Sequence, residues 1–247
     1  MVHQVHPYFN PAQTDAFNVL ASATDSTFEV RYFKLHGMGG NARTILSLAG
    51  AKFTNADYEN DWDVQRPLTP FGLMPVLTET SADGKTKLQI AESDAIERYL
   101  SRKFGLLGGN AFEEVLVNTF VSNSQALVLQ IFAKIAVVED LQVRAANLGL
   151  LIKDHISPWI RYHEQHLQAN GANGHYVGNK TTLADVKADY LIGMIQGVTG
   201  EDLVSQTKTP ALWKVREELT KYPGLAAWRA SRTYKEISDE NLAVLGY

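Results

Sequence analysis

Nearly every strand-like run in this chain lies on one side of one glycine-rich stretch, "GLLGG" at residues 105–109. Before it, β-branched and aromatic runs alternate with helical spacing. After it, apolar residues recur at intervals of three and four, the period of amphipathic helices. A chain whose pattern changes so sharply must build two cores, and 247 residues are enough for two domains of ordinary size. The reading is therefore a polar extension over 1–26, a mixed α/β domain over 27–104, a linker over 105–109 and an all-α domain over 110–247.

In the first domain "FEVRYFKL" (28–35) reads as a strand and "ARTILSLAG" (42–50) as a helix, with Asn41 as a candidate N-cap and Gly50 as its stop. "FTNADYE" (53–59) is a second strand, and the proline-broken "NDWDVQRPLTPFG" an irregular connection. "PVLTET" and "TKLQIA" flank Asp83-Gly84, a hairpin signal. "ESDAIERYLSRKFG" is then a helix opened at Ser93. The order β-α-β-(irregular)-β-β-α within about 80 residues is that of an α/β thioredoxin-like domain.

The second domain is predicted to hold helices over about 111–147, 150–169, 182–197, 209–221 and 224–233. Thr182 with Asp185 three residues on is a capping box. The small residues Ala184, Ala188 and Gly193 on that helix suit close helix approach.

Several function classes are excluded at this level. A formal charge of −4 with scattered Lys and Arg argues against nucleic acid. The absence of cysteine removes disulfides, thiolate metal sites and a cysteine nucleophile, so thiol chemistry would need a borrowed thiol. No apolar run approaches the roughly 20 residues that span a bilayer, so no membrane is expected. The first 26 residues lack the marks of a targeting segment and read as a partly ordered tail with Tyr8, Phe9 and Phe17 as its aromatics, which leaves the cytoplasm by default. His163 and His166, three apart, have a chelating spacing but no third ligand pattern, and read as a solvated face; His3 and His6 lie in the tail. "GMGGN" lacks the lysine and spacing of a nucleotide loop.

One cluster carries chemistry. Tyr32 closes the first strand, Asn41 and Arg43 open the first helix, Trp62 and Arg66 lie in the irregular connection, Met74-Pro75 enters the third strand, and Glu92-Ser93 begins the third helix. In a thioredoxin-like fold these ends meet on one edge. A helix N-terminus with a serine hydroxyl suits a carboxylate, and Arg66 suits a second one. A cis Met74-Pro75 bond would offer the Met74 backbone to a peptide as an edge strand does. The expected ligand is small and peptide-like, with two carboxylates.

On these residues the chain resembles a cytosolic glutathione transferase. The likeness is carried by "RYFKLHG…NARTIL", by Trp62 with a basic residue four on and "PFG-x-x-P" after it, by "ES-x-AI-x-RYL" and by "TTLAD"; it is nearest the sigma, tyrosine-type class. It covers residues 28 to about 235. The resemblance implies the glutathione transferase fold, glutathione as co-substrate with no further cofactor or metal, small hydrophobic electrophiles as second substrates, and a homodimer. It implies that Tyr32 is the catalytic hydroxyl and that Arg43, or Asn41 in its place, supports the thiolate. Glutathione would be held by Trp62, Arg66, Leu73, Met74, Pro75, Glu92 and Ser93, although Leu73 stands where the family often has a polar side chain. Leu35, His36, Met38 and Leu127 would line an apolar electrophile pocket between the domains. Ser122 and Gln125 are the nearest polar candidates for the aspartate that sigma enzymes extend across their dimer. The function so implied is conjugation of the glutathione thiolate to electrophiles; a glutathione-dependent peroxidase or isomerase, and a non-catalytic glutathione-binding or regulatory protein, are the alternatives.

Overall fold

The computed structural model of the protein describes residues 11–56 and 62–245. His3, His6, Tyr8 and Phe9, and the end of the expected second strand at 57–59, lie outside them. Among the described residues the strands are β1 (Thr27–Arg31), β2 (Phe53–Ala56), β3 (Val76–Thr80) and β4 (Lys87–Ala91), in the order β2-β1-β3-β4. β1 pairs parallel with β2 and antiparallel with β3, and β3 antiparallel with β4. The crossover from β1 to β2 is α2 (Gly40–Leu48), and α4 (Ser93–Lys103) follows β4. Val30 and Leu77 are fully buried, as are Ile45 and Leu46 of α2 and Ile96 and Leu100 of α4. The α2 and α4 helices pack together. The expected hairpin is present: Asp83 accepts from Ser81 Oγ and the Lys85 N–H, and Gly84 takes φ +73°. The irregular connection holds one turn, α3 (Trp62–Gln65), and a 3₁₀ turn over Arg66–Leu68.

Two segments depart from the sequence expectation. Residues 14–22, read as part of a tail, form the helix α1 (Thr14–Ser22). It is docked: Leu20 is buried, and Lys103 Nζ donates to the carbonyls of Leu20 (2.9 Å), Ala21 (3.3 Å) and Ala23. The same ammonium reaches Glu79 Oε1 at 2.9 Å, and that buried carboxylate also accepts from Ser26 Oγ and the Tyr99 hydroxyl. A cation at the C-terminal end of a helix meets its unpaired carbonyls, so Lys103 fixes the end of α1. Residues 232–245, where the expected helices had stopped, form α11 (Arg232–Leu245). By contacts the chain splits into two compact units, and Ala227–Asn241 belongs with the residues up to Phe104 rather than with the helices that precede it.

The second unit runs over Gly105–Ala226 with the last residues of the chain. Its helices are α5 (Ala111–Ile131), α6 (Leu141–Leu151), α7 (Ser157–Ala169), α8 (Leu183–Thr199), α9 (Pro210–Thr220) and α10 (Pro223–Ala230), the last reaching into the first unit's residues. The helix expected over 111–147 is broken: α5 ends in a π-type turn, Phe132–Ala136, and α6 restarts behind Asp140, whose carboxylate caps the Gln142 and Val143 amides. A second π-type turn, Ile152–Ile156, joins α6 to α7.

The Thr182–Asp185 capping box is formed, and Asp185 also accepts from the Tyr176 N–H. Ala184 and Ala188 are buried as expected, but a Cβ on Gly193 would meet nothing within 4 Å, so no close approach requires that glycine. The helix over Ala111–Ala136 is long and apolar enough to cross a bilayer, contrary to the sequence reading. Val117, Val121, Leu127, Val128 and Ile131 on it are buried, and it packs against α8 as a core helix does.

Candidate active site

The sheet register assembles the site. Arg31 pairs with Val76 and Val76 with Ala91, so the residues one step beyond, Tyr32, Pro75 and Glu92, fall in one row across the end of three adjacent strands. That row spans two inter-strand gaps, roughly 10 Å. The Met74–Pro75 bond is cis. Glu92 is exposed and held at φ +69°, a left-handed conformation that costs a non-glycine residue about 1–3 kcal/mol. It immediately precedes Ser93, the first residue of α4, where the helix N-terminus presents amide donors with no intrahelical acceptor.

Tyr32 is packed at the head of this row and is 7% exposed. The "HGMGG" loop folds over it in a 3₁₀ turn, Gly37–Gly39, and the Met38 N–H donates to the Tyr32 hydroxyl oxygen at 3.0 Å. The glycines are required by proximity. A Cβ on Gly39 would lie 2.8 Å from Tyr32 Cγ, and one on Gly37, itself at φ +34°, 2.5 Å from the hydroxyl oxygen. Burial raises the Tyr32 pKa above its ordinary value, while the Met38 hydrogen bond and the Arg43 charge pull it down. The phenol therefore remains protonated at neutral pH, with its oxygen already accepting from Met38 and its proton left to donate elsewhere.

Arg43 and Asn41, the two residues offered as supports of the thiolate, have different partners. Arg43 is almost wholly buried; it donates to Asn55 Oδ1 (2.7 Å), to the Phe33 carbonyl (3.2 Å) and to the Leu35 carbonyl. Its guanidinium lies 5.8 Å from the Tyr32 ring centroid. Asn41 donates to the buried Glu97 of α4 at 3.1 Å. Both act as posts of the loop and helix around Tyr32.

Trp62 meets Phe33 edge-on at 5.8 Å, and Phe33 meets Tyr32 edge-on at 5.5 Å. Arg66 is exposed, with its side chain 3.6 Å from where a Cβ on Gly72 would be. Leu73 is 58% exposed, Met74 half-buried and Pro75 buried.

Of the residues expected to line an electrophile pocket, Leu35, His36 and Met38 lie on the loop over Tyr32, all half-buried. His36 is engaged by α11: its Nε2 is 2.9 Å from Ser238 Oγ and its ring 4.7 Å from that of Tyr234. Leu127 belongs to the second unit, where it lines a cavity of about 540 Å³ between α5 and α7 with Phe120, Trp159 and Tyr162. Ser122 is exposed, and Gln125 is buried. His163 is not on a solvated face: it is buried, stacked on Trp159 at 4.2 Å, with Nδ1 2.7 Å from the Tyr176 hydroxyl and Nε2 3.0 Å from Asn123 Oδ1. Both nitrogens are occupied, which leaves none for a metal.

Sequence reasoning missed Phe33, Asn55, Tyr234 and Ser238. The density of glycine around Met38 was the available signal that this loop packs on a ring.

Comparison with known proteins bears on the family and the fold. The family described as "Glutathione S-transferase, C-terminal domain" matches residues 128–232. Probable glutathione S-transferase 7 of Caenorhabditis elegans is 32% identical over 163 residues, 64% of this chain and 75% of that protein. Glutathione S-transferase 1 of Ascaris suum is 28% identical over 211 residues, 83% and 96% of the two chains. Among solved structures, a sigma class GST of Fasciola hepatica superposes with a TM-score of 0.73 at 22% identity, over 85% of this chain and 99% of the other.

Proposed function

The chain belongs to the glutathione S-transferase family, and we propose that it conjugates glutathione to small hydrophobic electrophiles, with Tyr32 donating the hydrogen bond that keeps the bound sulfur ionised. The observation that carries this reading is the Met38–Tyr32 hydrogen bond: it occupies the phenol oxygen as acceptor and leaves the phenol proton for a ligand. A thiol of pKa about 8.5 is mostly protonated at neutral pH, and the thiolate is the nucleophile. A hydrogen bond from a neutral phenol favours the charged form. The Arg43 charge, close behind the Tyr32 ring, acts in the same direction while its donors hold the loop carbonyls.

The row Tyr32, Pro75, Glu92 fits the tripeptide in length, since three extended residues reach about 10 Å. The Met74 backbone would pair with the cysteinyl residue, and the α4 N-terminus with Ser93 and Glu92 would receive the γ-glutamyl end. Trp62 and Arg66 would take the glycyl end beside Leu73. Glutathione is the co-substrate, and no other cofactor enters the chemistry. The working form is a cytoplasmic homodimer of the sigma, tyrosine-using kind, and sedimentation velocity tests the dimer.

Steady-state conjugation to a chloronitrobenzene tests the assignment. Replacing Tyr32→Phe removes one preorganised donor and should lower kcat/KM on the order of 10²-fold, with KM for glutathione little changed. A Tyr32→Phe enzyme turning over at the wild-type rate would refute it.

A further inference from the structure

The loop over Tyr32 is fixed from two sides. On one, Arg43 holds the Phe33 and Leu35 carbonyls. On the other, His36 is tied to α11, a helix formed about 200 residues later in the chain, through a serine that belongs to the same compact unit. The direction of that tie can be read from its neighbours. Ser238 Oγ donates to the Tyr234 carbonyl at 2.9 Å, so the serine proton is committed to its own helix. The serine oxygen must then accept from His36 across 2.9 Å, which places a proton on Nε2. Burial, with the charges of Arg43 and Arg229, lowers the His36 pKa to about 4, so the ring is neutral at physiological pH.

Tyr234 is itself anchored. Its ring lies 5.7 Å from Trp228, and Trp228 lies 5.4 Å from Phe53 on β2. A chain of rings thus runs from the sheet through Trp228 and Tyr234 to His36, and the residue after His36 begins the turn that supplies Met38.

We infer that His36 is a positioning residue: by donating to Ser238 and packing on Tyr234 it holds the Gly37–Gly39 turn so that the Met38 N–H stays on the Tyr32 hydroxyl oxygen. This deepens the proposed function, since it rests on Tyr32 being the thiolate's partner. It assigns to His36 a task other than lining an electrophile pocket. It also makes α11 a support of the loop over Tyr32.

The hydrogen bond itself is observable without turnover. The chain has 4 methionines, at 1, 38, 74 and 194. Labelling with ¹⁵N-methionine gives amide cross-peaks from Met38, Met74 and Met194, because an N-terminal amine gives none. Met38→Leu identifies the Met38 peak by its disappearance, and Tyr32→Phe shows where that peak lies once the acceptor oxygen is gone. In His36→Leu and in Ser238→Ala the Met38 peak should move toward its Tyr32→Phe position, while Met194, on α8 of the other unit, stays in place and reports intact folding.

His36→Gln, whose amide can donate from nearly the position of Nε2, should keep the peak near the wild-type one. In conjugation assays the Leu and Ala variants should lose roughly tenfold in kcat with KM for glutathione within about twofold, the size of one misplaced hydrogen bond, and the double variant should lose no more than either alone. A Met38 peak unmoved in both His36→Leu and Ser238→Ala overturns the inference, as does His36→Gln behaving like His36→Leu. A protein that turns over no electrophile, yet shows the Met38 shifts, would instead defeat the catalytic reading of Tyr32 and leave the positioning contact standing.

Discussion

Replacing Lys103→Met tests how the N-terminal helix is held. The Lys103 ammonium is 4% exposed and the Glu79 carboxylate 0%, with 2.9 Å between them. Removing the cation leaves a buried carboxylate facing two hydroxyl donors without its ion-pair partner, and it strips the α1 end of the donor that serves three carbonyls there. Breaking a buried pair from one side costs about 3–5 kcal/mol, whereas an exposed pair contributes about 1 kcal/mol at most. Against a total stability of about 5–15 kcal/mol this is a large fraction. For a chain of this size each kcal/mol moves Tm by about 2–4 °C, so the expected fall is roughly 6–20 °C.

Urea unfolding followed by far-UV circular dichroism measures the loss, and limited proteolysis reads whether residues 14–23 have been released. The double variant Glu79→Gln with Lys103→Met should recover at least about 1 kcal/mol relative to the sum of the singles, because it no longer strands a charge. A loss in Lys103→Met below about 1 kcal/mol, or an α1 segment as resistant to protease as in the wild type, would refute the account.

Two further outcomes follow from the geometry. In Gly39→Ala the new Cβ falls 2.8 Å from the Tyr32 ring, so the ring must shift, and an active-site displacement of about 1 Å is expected to lower conjugation on the order of 10²-fold; Gly193→Ala, with open space around it, should instead stabilise α8 by about 0.5–1 kcal/mol, and equal activity in Gly39→Ala and wild type would contradict the packing. The second concerns acid. Burial lowers the His163 pKa to about 3, so below pH 6.5 the unfolded chain takes up a proton that the folded one refuses, and stability falls with pH through that window by about 1.4 kcal/mol per unit. Asp185, lifted by burial to about 7, opposes it, since its folded form holds the extra proton. His163→Gln should therefore lose less stability than wild type between pH 6.5 and 4.5, by roughly 2–3 kcal/mol in urea unfolding, and identical slopes would exclude a neutral buried imidazole.

What could be read from the sequence follows from where each residue's partners lie. The α/β half was legible because alternation, Asp83-Gly84 and the helix starts are local signals. The row Tyr32, Pro75, Glu92 was legible because each residue sits one step past a strand end, and register does the rest. The helix α1 was not, because Lys103 grips its backbone carbonyls and the side-chain pattern carries no trace of that contact. Nor was α11, whose inward residues Tyr234, Ile237 and Ser238 are set among charged neighbours that dilute its apolar stripe. The break before α6 was written in Asp140, an N-cap inside an otherwise unbroken helical period. For Arg43 the residue type announced a cation near the site, but its acceptors are carbonyls of the folded loop, which no spacing rule reveals.

The tie between His36 and Ser238 has a consequence for how the protein is made. The two residues are 202 positions apart in the chain. At a synthesis rate of about 5–20 residues per second, roughly 10–40 s pass between the ribosome adding the loop and adding the serine that steadies it. During that interval the sheet can form and α2 can cover it, since their contacts are local. The tyrosine loop waits, with its second anchor not yet made. The unit that begins first on the ribosome is thus among the last to be completed, and a chain released before residue 238 would carry the ligand edge without the helix that sets its loop.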